Sequence, residues 1–197
     1  MTARNAQTDP ILADLNEPQR RAVTHRDGPL LVLAGPGSGK TRVITRRAAY
    51  LVHSGVPPRN VLAITFTNKA AEEMKKRITA LGVAGGMWVY TFHALGVRLL
   101  REFGSLGRVQ PGFTIYDEAD QKRVIKDALE ICKISPEVLK PEAAQAHISR
   151  AKNGLKRPAD LIENGGYFDE RQVGRVYEAY EQLLEQRNAV DFDDLLM

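Results

Sequence analysis

Apolar positions in the first 115 residues come in two alternating rhythms. Short apolar runs lie at 30–34 (LLVLA), 61–66 (VLAITF) and 87–91 (MWVYT). The first has no polar residue at all, the pattern of a strand buried on both faces. Each run is followed by residues at helical spacing. One helix is predicted over 40–53, closed by Gly55 and Pro57–Pro58. A second is predicted over 67–81, with Ala71, Met74, Ile78 and Leu81 on one face and Gly82, Gly85 and Gly86 breaking it. A third is predicted over 93–103. Repeated strand–helix units imply a parallel sheet with right-handed crossovers.

Near Tyr116 the rhythm changes. Asp117 reads as an N-cap, and Val124, Ile125, Ala128, Leu129 and Cys132 recur at helical spacing. Another helix is predicted over 141–153, with Gly154 placed to end it. A last one covers 169–187 and turns Val173, Val176, Tyr177, Tyr180, Leu183 and Leu184 inward. No strand is predicted between them. The fold class is therefore α/β, a parallel sheet carrying an all-helical insertion over 116–187. Internal repeats and low-complexity stretches are absent from the sequence.

Composition narrows the class. The 197 residues are 43% hydrophobic and 26% charged, as in soluble globular proteins. The net charge of +4 suits a polyanionic partner without demanding one. A single cysteine, Cys132, excludes an internal disulfide. The four histidines, His25, His53, His93 and His147, lack metal-ligand spacing. A reducing, cytoplasmic setting without a structural metal is expected. No apolar run approaches the ~18–20 residues of a membrane span. Residues 1–14 read as a flexible tail.

The chemistry centres on AGPGSGKTR, residues 34–42. A strand, a glycine-rich turn and a helix start ending in Gly39–Lys40–Thr41 make a phosphate-binding loop. Ala34, Gly35, Pro36, Gly37, Ser38 and Gly39 would let backbone N–H groups face one concavity. Lys40 would reach the β- and γ-phosphates, and the Thr41 hydroxyl would sit on Mg²⁺. The strict pattern wants glycine where Ala34 stands. The bland reading is a structural turn. Upstream, Gln19 in LNEPQRRAV carries an amide complementary to an adenine edge; solvated helix surface is its alternative. Downstream, Thr65, Phe66, Thr67 and Asn68 close one strand, and Thr91, Phe92 and His93 close another. Open α/β sheets bind ligands at such ends, and these could stack bases and hold phosphates. The competing reading makes Phe66 and Phe92 core aromatics capping the sheet.

LNEPQRRAV, AGPGSGKT, AITFTNKAAEEMKKR, VYTFHALGVRLLR and AVDFDDLL occur in this order. Together they resemble the N-terminal part of a UvrD/PcrA/Rep-type superfamily 1 DNA helicase, over nearly the whole chain from Leu15. The resemblance implies the first part of a RecA-like, ATP-binding motor domain over 15–115, a helical accessory insertion over 116–187, and a return toward the motor over 188–197. It implies that Gln19 recognises adenine and that Gly37, Gly39, Lys40 and Thr41 hold ATP and Mg²⁺, with Arg42 beside the nucleotide. Thr65, Phe66, Thr67, Asn68, Thr91, Phe92 and His93 would contact single-stranded DNA. In the insertion, Arg150, Lys152, Lys156 and Arg157 would touch duplex phosphates, or else form a solvated charged face.

The implied activity is ATP-driven 3′-to-5′ translocation on single-stranded DNA and unwinding at single/double-strand junctions, alongside repair or replication proteins. Such a helicase needs an Asp–Glu pair on a later strand for Mg²⁺ and the attacking water. The candidate acids Asp191, Asp193 and Asp194 follow Asn188–Ala189–Val190 rather than an apolar strand, and Asp191 or Asp193 could instead cap a helix. The 197 residues alone are accordingly expected not to hydrolyse ATP. The alternative function is a non-catalytic module that holds nucleotide or DNA and regulates a partner. A different phosphate-loop enzyme, such as a small kinase, would have no reason to carry Gln19 or the 65–68 flank.

Overall fold

The computed structural model describes residues 10–83, 85–103, 109–164 and 168–197, with the backbone alone at 164, 168 and 169. Over these residues the protein is mixed α/β, mostly helical, with two small parallel sheets. The chain divides into two compact units, Met1–Thr91 and Phe92–Met197.

The first unit contains α1 (Glu17–Thr24), α2 (Lys40–His53), β1 (Leu62–Thr65), α3 (Asn68–Ala80) and β2 (Trp88–Thr91). A reciprocal capping box opens α1. The Asn16 side chain accepts from the Gln19 backbone N–H at 3.0 Å, and Gln19 Oε1 accepts from the Asn16 N–H at 3.2 Å. Thr67 caps α3 by accepting from the Ala70 N–H at 3.1 Å. β1 and β2 pair in parallel, Leu62 against Trp88 through to Thr65 against Thr91. Val23, Ala49, Met74, Ile78 and Val83 form the core beneath them. Each large aliphatic side chain buried there contributes about 1.5–3 kcal/mol.

Two expectations change in this unit. The stretch over 30–34 is not a strand. Its backbone is irregular, and Leu31 and Leu33 are 81% and 87% exposed. A strand is stabilised by ladder bonds to its neighbours, and among the described residues β1 pairs only with β2. The expected flexible tail over 1–14 also does not reach 14. Ile11 and Leu12 are buried in the core. Arg46 on α2 donates to the carbonyls of Ile11 at 2.7 Å and Pro10 at 3.0 Å. Residues 1–9 of the expected tail lie outside the described residues.

The second unit contains α4 (Phe92–Phe103), β3 (Thr114–Ile115), α5 (Glu118–Ile131), α6 (Pro141–Asn153), α7 (Pro158–Asn164), α8 (Phe168–Gln186) and β4 (Ala189–Val190). Asp117 caps α5, its carboxylate accepting from the N–H groups of Ala119 and Asp120, both at 2.9 Å. Val124, Ala128, Ile148, Val176, Tyr180 and Leu184 join the faces of α5, α6 and α8 in one core. The short helix α7 was not predicted.

β4 was not predicted either, and it corrects the view that the terminal acids follow no strand. β3 and β4 pair in parallel, Thr114 with Ala189 and Ile115 with Val190. The two ends of the α5–α8 stretch therefore meet. The 192–196 segment after β4 is a turn, so neither Asp191 nor Asp193 starts a helix.

Candidate nucleotide and nucleic-acid site

The 35–39 loop has the backbone that its glycines allow. Gly37 and Gly39 adopt φ of 74° and 83°, the left-handed region that disfavours side chains. Ser38 Oγ donates to the Gly35 carbonyl at 2.6 Å and tightens the turn. α2 starts directly after Gly39, and no side chain caps it. Its first-turn N–H groups are thus left to an anion, aided by the helix dipole. Lys40 Nζ donates to the carbonyls of Gly35 at 2.7 Å and Ala34 at 3.0 Å. The ammonium lies across the loop, and Thr41 is exposed beside it. Ammonium, hydroxyl and uncapped helix start form a donor set suited to a triphosphate.

Gln19 stands against this loop. Its Nε2 donates to the Ser38 carbonyl at 3.0 Å, while its Oε1 serves the capping box. A Cβ on Gly39 would come within 3.0 Å of Gln19 Nε2. Each end of the amide makes one bond, which leaves one N–H and one lone pair able to meet an adenine edge. Arg42 is turned the other way, donating to the Asp14 carbonyl at 3.3 Å.

At the carboxyl end of the first sheet, Thr65 and Thr91 are register partners. Thr91 Oγ1 donates to Asn68 Oδ1 at 3.5 Å. The hydroxyl of Thr67 accepts as the cap of α3, and its proton remains able to donate. Phe66 is 88% exposed, so it is not a core aromatic. In the second unit, Phe92 and His93 open α4 and are exposed. The His93 ring meets Phe192 edge-on, with centroids 6.0 Å apart.

Among the basic residues predicted for duplex contact, Lys152 is misplaced. It is fully buried. Its ammonium lies 2.8 Å from each of Glu181, Asp191 and Asp194, and 5.2 Å from the Tyr180 ring centre. Burial opposes its charge, but Asp194, Asp191 and Glu181 outweigh that and raise its pKa above the usual lysine value. Arg150, Lys156 and Arg157 remain at the surface, Arg150 and Lys156 exposed beside a cavity of about 490 Å³.

Residues 15–197 match the UvrD/REP helicase N-terminal domain. The chain belongs to this family. It is 45% identical over 190 residues to the ATP-dependent DNA helicase PcrA of Staphylococcus aureus strain Mu50, covering 95% of this chain and 26% of that protein. The PcrA of Staphylococcus epidermidis strain ATCC 35984 is 44% identical with the same coverage. The chain thus spans about a quarter of the length of these relatives.

For a UvrD/REP helicase N-terminal domain, the sequence left two features unseen. Asn16, Arg46 and Arg47 hold the segment upstream of the loop. Arg47 donates to the Ala22 carbonyl at 3.0 Å, as Arg46 does to 10–13. The Asn16–Gln19 spacing of a capping box was the available signal. The pairing of Lys152 with Glu181, Asp191 and Asp194 gave none, because their meeting depends on the tertiary fold.

Proposed function

We propose that this chain is the N-terminal, nucleotide-binding part of an ATP-dependent DNA helicase that moves 3′-to-5′ on single-stranded DNA in the cytoplasm. The observation that carries this reading is the uncapped start of α2 behind two left-handed glycines, with Lys40 across the loop and Gln19 against it. In this reading, Lys40 leaves the carbonyls of Ala34 and Gly35 for the β- and γ-phosphates of ATP. Thr41 would hold Mg²⁺, whose charge would offset the negative charge of the transferring phosphoryl group. Gln19 presents its remaining N–H and lone pair to adenine, and Arg42 swings from Asp14 to the nucleotide.

Phe66 stacks a base of single-stranded DNA, with Thr65, Thr67, Asn68 and Thr91 on neighbouring phosphates. Phe92 and His93, on α4 of the second unit, contact single-stranded DNA as well. Residues 15–115 then form the first part of a RecA-like motor domain. Residues 116–187 are its accessory insertion toward single/double-strand junctions, and 188–197 return to the motor. The likeness to PcrA proteins, which are ATP-dependent DNA helicases, supports the helicase reading, and the proposal extends to work beside repair or replication proteins.

Asp191 and Asp194 are engaged by Lys152 and are not available to hold Mg²⁺. The 197 residues are therefore expected to bind ATP while turning it over poorly. The test is titration with a fluorescent ATP analogue and Mg²⁺, beside steady-state turnover with and without oligo-dT. Saturable binding lost in Lys40→Ala supports the reading. Equal binding by both chains would overturn the loop assignment, and turnover stimulated by oligo-dT would overturn the expectation of a silent site.

A further inference from the structure

The turn after β4 is held on two sides. On one side, Lys152 of α6 donates to Asp191 Oδ2 and Asp194 Oδ1, both at 2.8 Å, and also meets Glu181 of α8. Tyr180 adds its hydroxyl to Asp191 Oδ2 at 2.8 Å. Within the turn, the Asp191 N–H donates to Asp194 Oδ2 and the Asp194 N–H to Asp191 Oδ1, each at 2.9 Å. Asn153, next to Lys152, donates to Asp193 Oδ1 at 3.1 Å. These contacts converge on the four residues 191–194.

On the other side, the turn faces α4. Phe192 projects from between the two buried aspartates and meets His93 edge-on at 6.0 Å, with the rings 80° apart. Leu195 is buried with Val97 and Leu100 of α4. Its carbonyl lies so near Gly96 that a Cβ there would come within 2.2 Å of the oxygen. A close approach of this kind tolerates little displacement of the turn.

We infer that Lys152 is a positioning residue for the start of α4: it fixes the 191–195 turn, and the turn sets the Phe92–His93 end of the helix through Phe192 and Leu195. The inference rests on the reading that Phe92 and His93 contact DNA. Lys152 itself touches no nucleic acid. Its charge is consumed by three carboxylates, and removal of one partner from a buried ionic group leaves the others uncompensated.

Two variants of the 197-residue chain test this. Lys152→Met removes the hub, and Phe192→Ala severs the link to His93 while leaving the buried ions in place. Because Phe192 is 45% exposed, that second chain is expected to fold even where the first does not. Two readouts are taken: the His93 ring resonances by NMR, assigned with His93→Gln, and anisotropy of fluorescein-labelled oligo-dT.

The expected result is a shift of the His93 resonances in each folded variant, with oligo-dT affinity about tenfold weaker, the scale of one lost base stack. Binding of the fluorescent ATP analogue should not change. Unmoved His93 resonances in Phe192→Ala, or moved resonances with unchanged DNA affinity, would overturn the inference. If Phe92→Ala and His93→Gln themselves leave DNA affinity unchanged, the DNA reading of α4 is what has failed, and the His93 resonances of Lys152→Met, which keeps the Phe192 ring, then judge whether the turn positions the helix.

Discussion

Lys40 Nζ lies 2.7 Å from the Gly35 carbonyl oxygen, across the loop it is expected to serve. A phosphate entering the loop competes with that carbonyl for the ammonium. Exchange of a neutral acceptor for a charged one favours the phosphate. Lys40→Ala is expected to weaken the binding of a fluorescent ATP analogue at least about tenfold, the scale of one hydrogen bond to a charged group. Lys40 is exposed, so the thermal midpoint should hold.

Gln19 joins two structures, and its loss should be visible in both. Gln19→Ala removes half of the capping box and the bond to the Ser38 carbonyl. A stability loss of about 1 kcal/mol is expected from urea unfolding. Nucleotide affinity should fall as well, because the loop loses its lateral support. Unchanged affinity would mean that the loop holds its shape without Gln19.

Phe66 offers a cleaner separation of binding from stability. At 88% exposure its truncation leaves no cavity. Phe66→Ala should leave the urea midpoint within experimental error and weaken oligo-dT binding by ~1–3 kcal/mol per stacked base. Anisotropy at fixed salt measures this, since the phosphate contribution varies with ionic strength.

Gly96→Ala tests the contact between α4 and the 191–195 turn. The added methyl would meet the Leu195 carbonyl oxygen at 2.2 Å, so the helix or the turn must move. A loss of about 1–3 kcal/mol is expected from overpacking, read by urea unfolding. Alanine otherwise favours a helix over glycine by ~1 kcal/mol. A stabilised variant would therefore show that the approach relaxes at no cost.

The buried cluster also sets an alkaline limit. Burial, Asp191 and its hydrogen bond raise the Tyr180 pKa, and burial with Glu181 pushes Tyr177 up to about 12. Lys152 is raised as well. Each group holds its proton more tightly in the folded chain than in the unfolded one, where tyrosine and lysine titrate near ~10. Their stabilising contribution is full below that pH and declines as pH rises through the folded values. Unfolding followed by circular dichroism should coincide with delayed tyrosinate absorbance. Free ionisation of all tyrosines near pH ~10 in a folded chain would contradict it.

The helices were legible because their signals are local. Thr67, Asp117 and Gly154 stand at the ends of α3, α5 and α6, and Met74, Ile78, Val124 and Leu129 mark the inward faces. The 30–34 stretch misled because an apolar run says that a strand is suitable, not that a partner lies beside it. β4 spans two residues, too few to display a period. Lys152 sits in a basic run, AKNGLKR, that looks like solvated surface. Its burial is decided by Asp191 and Asp194, 39 and 42 residues further along the chain.

The exposed leucines upstream of the loop have a mechanical consequence. The glycine turn is clamped downstream by α2 and from the side by Gln19, while its upstream lead has no described ladder to brace it. Such a loop is a lever with one fixed end. Any strand that came to pair with residues 30–33 would stiffen it and sharpen its grip on phosphate without touching the nucleotide. On the proposed reading, the affinity of this chain for ATP is thus a gauge of how well its sheet is braced.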